Sequence, residues 1–178
     1  MKSYSTLASL KLLCISGLLF VSCNRLETLF EIPARVDMII PAGSNTFEIL
    51  GLETEILFPY EISLSSRGIS DASVDRVVAQ RATFRPVFAS IDLNFINVIE
   101  INVVDPEDPN NKREVFFLDP IPFGPKNSID LLASLPDIKD FISDGDKLLL
   151  EVELTFRNVP TTNIDIRIDM EFGAVADD

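Results

Sequence analysis

Residues 147–157 read KLLLEVELTFR and residues 163–173 read NIDIRIDMEFG. In the first run Leu148, Leu150, Val152, Leu154 and Phe156 alternate with Glu151, Glu153, Thr155 and Arg157. In the second, Ile164, Ile166, Ile168, Met170 and Phe172 alternate with Asp165, Arg167, Asp169 and Glu171. Successive side chains of a strand point to opposite faces, so a strict two-residue period describes a strand with one dry and one wet face. Two such runs joined by NVPTT (158–162) read as an antiparallel hairpin. Arg157 and Arg167, set among acids, are its expected cross-strand ion partners.

Further strands are expected upstream. Val36–Ile40 leads into the turn PAGSN, and Phe47–Leu50 and Glu55–Leu64 follow, with Pro59 marking an edge or bulge. Val77–Phe88 is long and partly alternating. Val98–Val104 and Glu114–Leu118 flank DPEDPNN (105–111) and read as a second hairpin. Helix is scarce. Leu135–Ile142 is the best candidate, with Ser134 as cap, Pro136 in the first turn and Asp137 at the positive end of the dipole. Ser70–Val74 offers one shorter turn. The expected fold is all-β: an antiparallel β-sandwich, immunoglobulin-like or jelly-roll in topology, with one or two short helices.

The chain has 178 residues, with 28 acidic and 15 basic side chains and a net charge of −13. Such a charge opposes nucleic acid and anionic lipid, and no basic patch offsets it. The sequence has no histidine and no tryptophan. That removes Ser–His and Cys–His nucleophile pairs and the ordinary zinc sites.

The N-terminus has its own pattern. Met1–Lys11 carries Lys2 and Lys11 and no acid, and Leu12–Ser22 is an uncharged, mostly apolar run. As a helix that run spans only about 16 Å, roughly half a bilayer core, which suits a secretory leader better than a membrane span. It ends in Val21–Ser22–Cys23, with Phe20 before it. This end resembles the lipobox of bacterial lipoproteins, with small Ser22 directly before the cysteine. An ordinary signal-peptidase cut after Ser22 would instead put bulky Phe20 at −3. Plain secretion and a retained leader are the alternatives. The resemblance implies cleavage between Ser22 and Cys23 and acyl chains, palmitate among them, on Cys23. It also implies the outer membrane, because Asn24 stands where aspartate signals inner-membrane retention. Two or more acyl chains anchor stably. The expected organisation is a leader at 1–22, a lipidated tether at 23–30 and one β domain at 31–178. Which face of the membrane the domain occupies, periplasmic or outside, is left open.

Few groups in the β domain suggest chemistry. Asp105, Glu107, Asp108 and Asn110 in DPEDPNN are oxygen donors suited to calcium, although Pro109 and Asn110 break the EF-hand pattern, and the same residues form ordinary turns. Ser143–Asp146 (SDGD) carries the same ambiguity. Glu151, Glu153, Asp165, Asp169 and Glu171 would come close across the last hairpin, as a glycoside hydrolase's carboxylates do, but on a wet face among counter-charges. Phe58–Tyr60 (FPY) and Asp119–Pro125 (DPIPFGP) place aromatics beside prolines, either as contact patches or as caps on the core.

These features point to a lipid-anchored protein of the cell envelope with a non-catalytic binding or structural role, no cofactor, and the membrane and an envelope protein as partners. A carboxylate-dependent hydrolase and an extracellular ligand-capture lipoprotein are the alternatives. The latter would need a concave pocket.

Overall fold

The computed structural model describes residues 28–88, 91–143 and 146–176; the expected leader, Cys14, Cys23, and Asp144 and Gly145 of the SDGD segment lie outside the described residues. Eight strands and one helix follow in order: β1 (Thr28–Ile40), β2 (Leu50–Leu57), α1 (Tyr60–Arg67), β3 (Arg76–Pro86), β4 (Ile96–Val104), β5 (Lys112–Leu118), β6 (Ile129–Ala133), β7 (Lys147–Phe156) and β8 (Ile164–Val175). All pairings are antiparallel, and the strands form one sheet in the order β1-β8-β3-β6-β5-β4-β7-β2. The sheet curls into a nearly closed barrel. Its end strands β1 and β2 approach each other without pairing.

The all-β, antiparallel reading holds; the sandwich does not. Two stacked sheets would leave four edges. Here the short strand β6 pairs with β3 on one side (Ala82↔Leu131) and with β5 on the other (Phe116↔Ala133), joining the two halves into one sheet. A five-residue strand has no sequence period long enough to announce itself, and β6 was not foreseen.

The last two strands have the expected faces. Leu148 to Phe156 and Ile164 to Phe172 turn their apolar residues inward, and the alternate positions are more exposed. Their pairing is corrected. β7 lies between β2 and β4, β8 lies between β1 and β3, and the two strands share no ladder. Residues 157–163 arch over one end of the core instead of turning a hairpin. The arch is held by Gly43 N donating to the Pro160 carbonyl (2.8 Å) and Arg157 N donating to that of Phe95 (2.7 Å). β1 and β3 bring arginines to the acids of β8, while β7 keeps acids opposite acids, Glu151 facing Glu53 and Glu153 facing Glu100. Asp169 receives Arg35 (2.6 Å) and Arg85 (2.8 Å), Glu171 receives Arg81 (2.6 Å), and Arg167 binds Asp37 (2.7 Å). Arg167 is therefore a cross-strand partner as expected, but across β1.

The second expected hairpin is present, with Val104 opposite Lys112 in the β4–β5 pair. The expected helix at 135–142 is reduced to one 3-10 turn at Lys139–Phe141. Asp137 does not cap a helix. Its carboxylate accepts from Val77 N (2.9 Å) and Lys139 N (3.0 Å), and Ile138 N donates to the Val77 carbonyl (2.9 Å), so this segment straps onto the start of β3. The turn expected at Ser70–Val74 is present as a 3-10 turn at Asp71–Ser73.

The interior is filled. Phe172 meets Phe58 edge-on at 5.1 Å between ring centres and Phe116 at 5.4 Å. Aromatic pairs of this kind add to the area they bury. Side chains pack the lumen as in other small barrels.

Gly173 marks a tight point. β3 carries a bulge between Ala79 and Arg81, and the Gln80 amide reaches Thr28 Oγ1 (3.0 Å) across β8. A Cβ at Gly173 would run into that amide. Gly173→Ala is expected to displace the Gln80 side chain and break its bond to Thr28, destabilising by about 1 kcal/mol or less. Gln80→Ala in the same chain should recover part of the loss, read as melting temperature in a double-mutant cycle.

Candidate binding cleft at the open seam

The barrel fails to close between β1 and β2, and α1 sits against β1 beside that gap. The sequence suggested a strand through Leu64; the structure turns at Pro59 into a helix. Pro59 offers no side-chain cap. The cap comes from far along the chain. Asp146, buried and at φ 59°, accepts from Glu61 N (2.7 Å) and Ile62 N (3.2 Å), and its carbonyl accepts from Phe58 N (2.7 Å). Aspartate tolerates the left-handed region better than most residues, and a carboxylate at a helix start satisfies orphan amides and meets the positive end of the dipole. Gly68, at φ 64°, ends the helix: its N–H donates to Ser65 O (3.2 Å) and that of Ile69 to Leu64 O (3.1 Å).

The helix is also pinned from its sides. Tyr60 stacks on Phe30 of β1 at 6.5 Å, and Arg67 lies over the same ring at 5.1 Å. The Tyr60 hydroxyl donates to Asp71 (2.5 Å). Burial, then the Asp71 carboxylate, pushes the Tyr60 phenol well above its usual range. The same hydrogen bond, helped by Lys139, holds Asp71 below the usual carboxylate range.

Between α1, β1 and the end of β2 a cleft of about 750 Å³ opens to the surface. Its walls are mainly apolar: Pro33 and Ala34 of β1, Leu57 of β2, Pro59, and Ile62 of α1. Leu57 and Ile62 are exposed large hydrophobics. Polar groups stand at the margin, but two are committed elsewhere: Arg35 to Asp169 and Asp146 to the helix amides. Pro33 has no N–H, which discourages a further strand from adding to the β1 edge. The cleft is therefore shaped for an apolar group rather than for a strand or an ion.

The other foreseen residues are placed as follows. In the β4–β5 loop, Asp105 accepts from Glu107 N (2.9 Å) and the Asn111 side chain (3.0 Å), and Asp108 accepts from Asn110 N (3.1 Å). The backbone amide of Glu107 and the Asn111 side chain hold Asp105 below the usual carboxylate range. The Asp105 and Asp108 carboxylates are thus occupied by the loop's own amides. Among the described residues no group of three or more acidic side chains is poised to hold a metal. The acids expected to meet across the last hairpin are divided between two walls. Glu151 and Glu153 share Lys112 (2.9 and 2.6 Å), while Asp169 and Glu171 bind arginines on β1 and β3. Phe58 and Tyr60 are buried, so FPY caps the core. DPIPFGP divides: Ile121 is buried and Phe123 is exposed.

Sequence reasoning missed the cleft. Its one readable sign was Pro59 after an apolar run; the cap that makes the helix stands 85 residues away.

The fold and the site define an open-seamed antiparallel barrel with an apolar cleft at the seam. Comparison with known protein families, with curated proteins and with solved structures finds no match to this chain.

Asp146→Ala should cost about 1–2 kcal/mol in chemical unfolding, the usual scale for a lost N-terminal cap; Asp146→Asn should cost less. A second test concerns Asp169. Burial pushes its carboxyl up, but Arg35 and Arg85 outweigh burial and hold it below the usual range. A depressed carboxylate stabilises above its unfolded pKa of about 3.9, and that contribution is lost as pH falls through the folded value. Asp169→Asn should therefore be less stable than wild type at pH 7, by about 1 kcal/mol or less. The gap should close below about pH 4 in parallel melts.

Proposed function

We propose that this chain is a lipid-anchored cell-envelope protein, held through Cys23, whose barrel is a non-catalytic module that binds an apolar group in the seam cleft. One observation carries the binding reading: a largely apolar concavity of about 750 Å³ on a barrel whose interior is already full. Cavities of this size suit small or chain-like ligands, and apolar walls supply the driving force. The anchor rests on Val21–Ser22–Cys23 after a short apolar run. β1 begins at Thr28, so a chain starting at Cys23 would hold the barrel close to the membrane. The carboxylate hydrolase gains no support from the geometry, since its acids sit on separate walls beside cations.

Two measurements test the halves of the proposal. Intact mass of the membrane-extracted protein should show a chain starting at Cys23 with added acyl mass, absent in Cys23→Ala. An unacylated wild-type chain would overturn the anchor. Titration with an anilinonaphthalene sulfonate dye should give one saturable site, weakened at least tenfold by Ile62→Glu at unchanged melting temperature. Binding that is insensitive to Ile62→Glu would remove the cleft from the proposal.

A further inference from the structure

Alternation of strand direction around the sheet sends β1, β3, β5 and β7 toward one end and starts β2, β4, β6 and β8 there. Four loops meet at that rim: 41–49, the one after β3 (described at 87–88 and 91–95), 119–128 and 157–163. Each presents an exposed large hydrophobic side chain. Phe47 is 94% exposed, Phe88 62% and Phe123 82%, with Ile49, Val87 and Val159 beside them. Among the described residues, these are the three exposed phenylalanines, and all lie at one end. Scattered surface hydrophobics need no explanation, but exposed ones gathered at one end by four separate loops mark an interaction site.

The loops are braced in place. Ala42 N donates to Asn163 Oδ1 (2.9 Å), Phe47 N to Asn45 Oδ1 (3.0 Å), Gly124 N to Asn94 Oδ1 (3.1 Å) and Lys126 N to Asp92 Oδ1 (2.9 Å). Arg157, the arginine expected to pair across β8, instead lies over the Phe123 ring at 4.2 Å and donates to Asn97 (3.2 Å) and the Ile121 carbonyl. A ring held out in water by its neighbours loses little further freedom on binding.

We infer that this rim is the docking surface for a protein partner that offers an apolar groove edged by lysine and arginine. Charge argues for the basic edge. Glu48 lies between Phe47 and Ile49, Asp165 is the second residue of β8 and faces Ile39, and Asp92 and Asp119 lie in the Phe88 and Phe123 loops, so the acids outnumber the rim cations Lys126 and Arg157. The chain as a whole carries −13, which steers cationic partners and opposes a second copy and anionic lipid. Chain geometry argues against the protein's own membrane. Thr28 is at the opposite end of β1, 13 residues long, so the rim stands about 40 Å away from it. Five residues from Cys23 to Thr28 reach no more than about 17 Å. This last argument rests on the anchored reading; the rim and its acids do not.

The test uses the full chain in the cells that make it, with a photo-crosslinking phenylalanine analogue at Phe47, at Phe123 or, in the β6–β7 connection at the opposite end, at the exposed Leu135. One discrete adduct with a different protein is expected from the first two sites and not from the third. Its linked peptide should be apolar and flanked by Lys or Arg. Phe88→Ser or Glu48→Lys, each with an unchanged melting temperature, should lower its yield at least tenfold. An adduct of twice the chain's mass, a lipid adduct, an equal yield at Leu135, or no adduct would overturn the inference. Membrane fractionation of the same cells judges the anchor separately: a soluble chain that still gives the adduct defeats the anchored reading and leaves the rim intact.

Discussion

Phe172 sits edge-on between Phe58 and Phe116, and the barrel is organised around that contact. The three rings come from β8, from the turn after β2, and from β5, so they tie both halves of the sheet to one core. Aromatic packing of this kind leaves no room in the lumen. The apolar cleft lies outside this core, where the sheet fails to close. The same packing places Phe58 under α1, so the helix that borders the cleft starts from a residue fixed by the core.

The two walls of the barrel solve the acidity of the chain differently. On β1, β8 and β3, acids and arginines interleave across the strands. On β2, β7 and β4, glutamates dominate, and Lys112 and Lys147 are the cations that bind them. All three bridges that these two lysines make are partly exposed, so each contributes little alone. Their placement matters more for pairing. Strand β8 lies between the arginine-bearing strands β1 and β3, and its separation from β7 converts an expected hairpin into an arch across the core.

Much of this was legible locally. The inward faces of β7 and β8 follow from period two, and the β4–β5 hairpin follows from turn chemistry at 105–111. The candidate calcium donors Asp105 and Asp108 were equally readable as turn residues, and that is how their oxygens are used. What failed were segments whose partners are distant. Leu135–Ile142 carries a cap, a proline and an acid in helical positions, yet Asp137 binds Val77, 60 residues away. Tyr60–Arg67 carries no local cap, yet Asp146 supplies one.

The sequence by itself determined that the domain is all-β and acidic, which strand faces are dry, and that histidine-based chemistry is absent. Those properties depend on side-chain type and on a period of two residues, and both are local. Only the tertiary structure decided which strands are neighbours, that one sheet curls into a barrel, and that the gap between β1 and β2 is flanked by a helix. A two-residue period says which way a side chain points but not which strand lies beside it. That choice is made by ion pairs, caps and ring contacts between residues far apart in the chain.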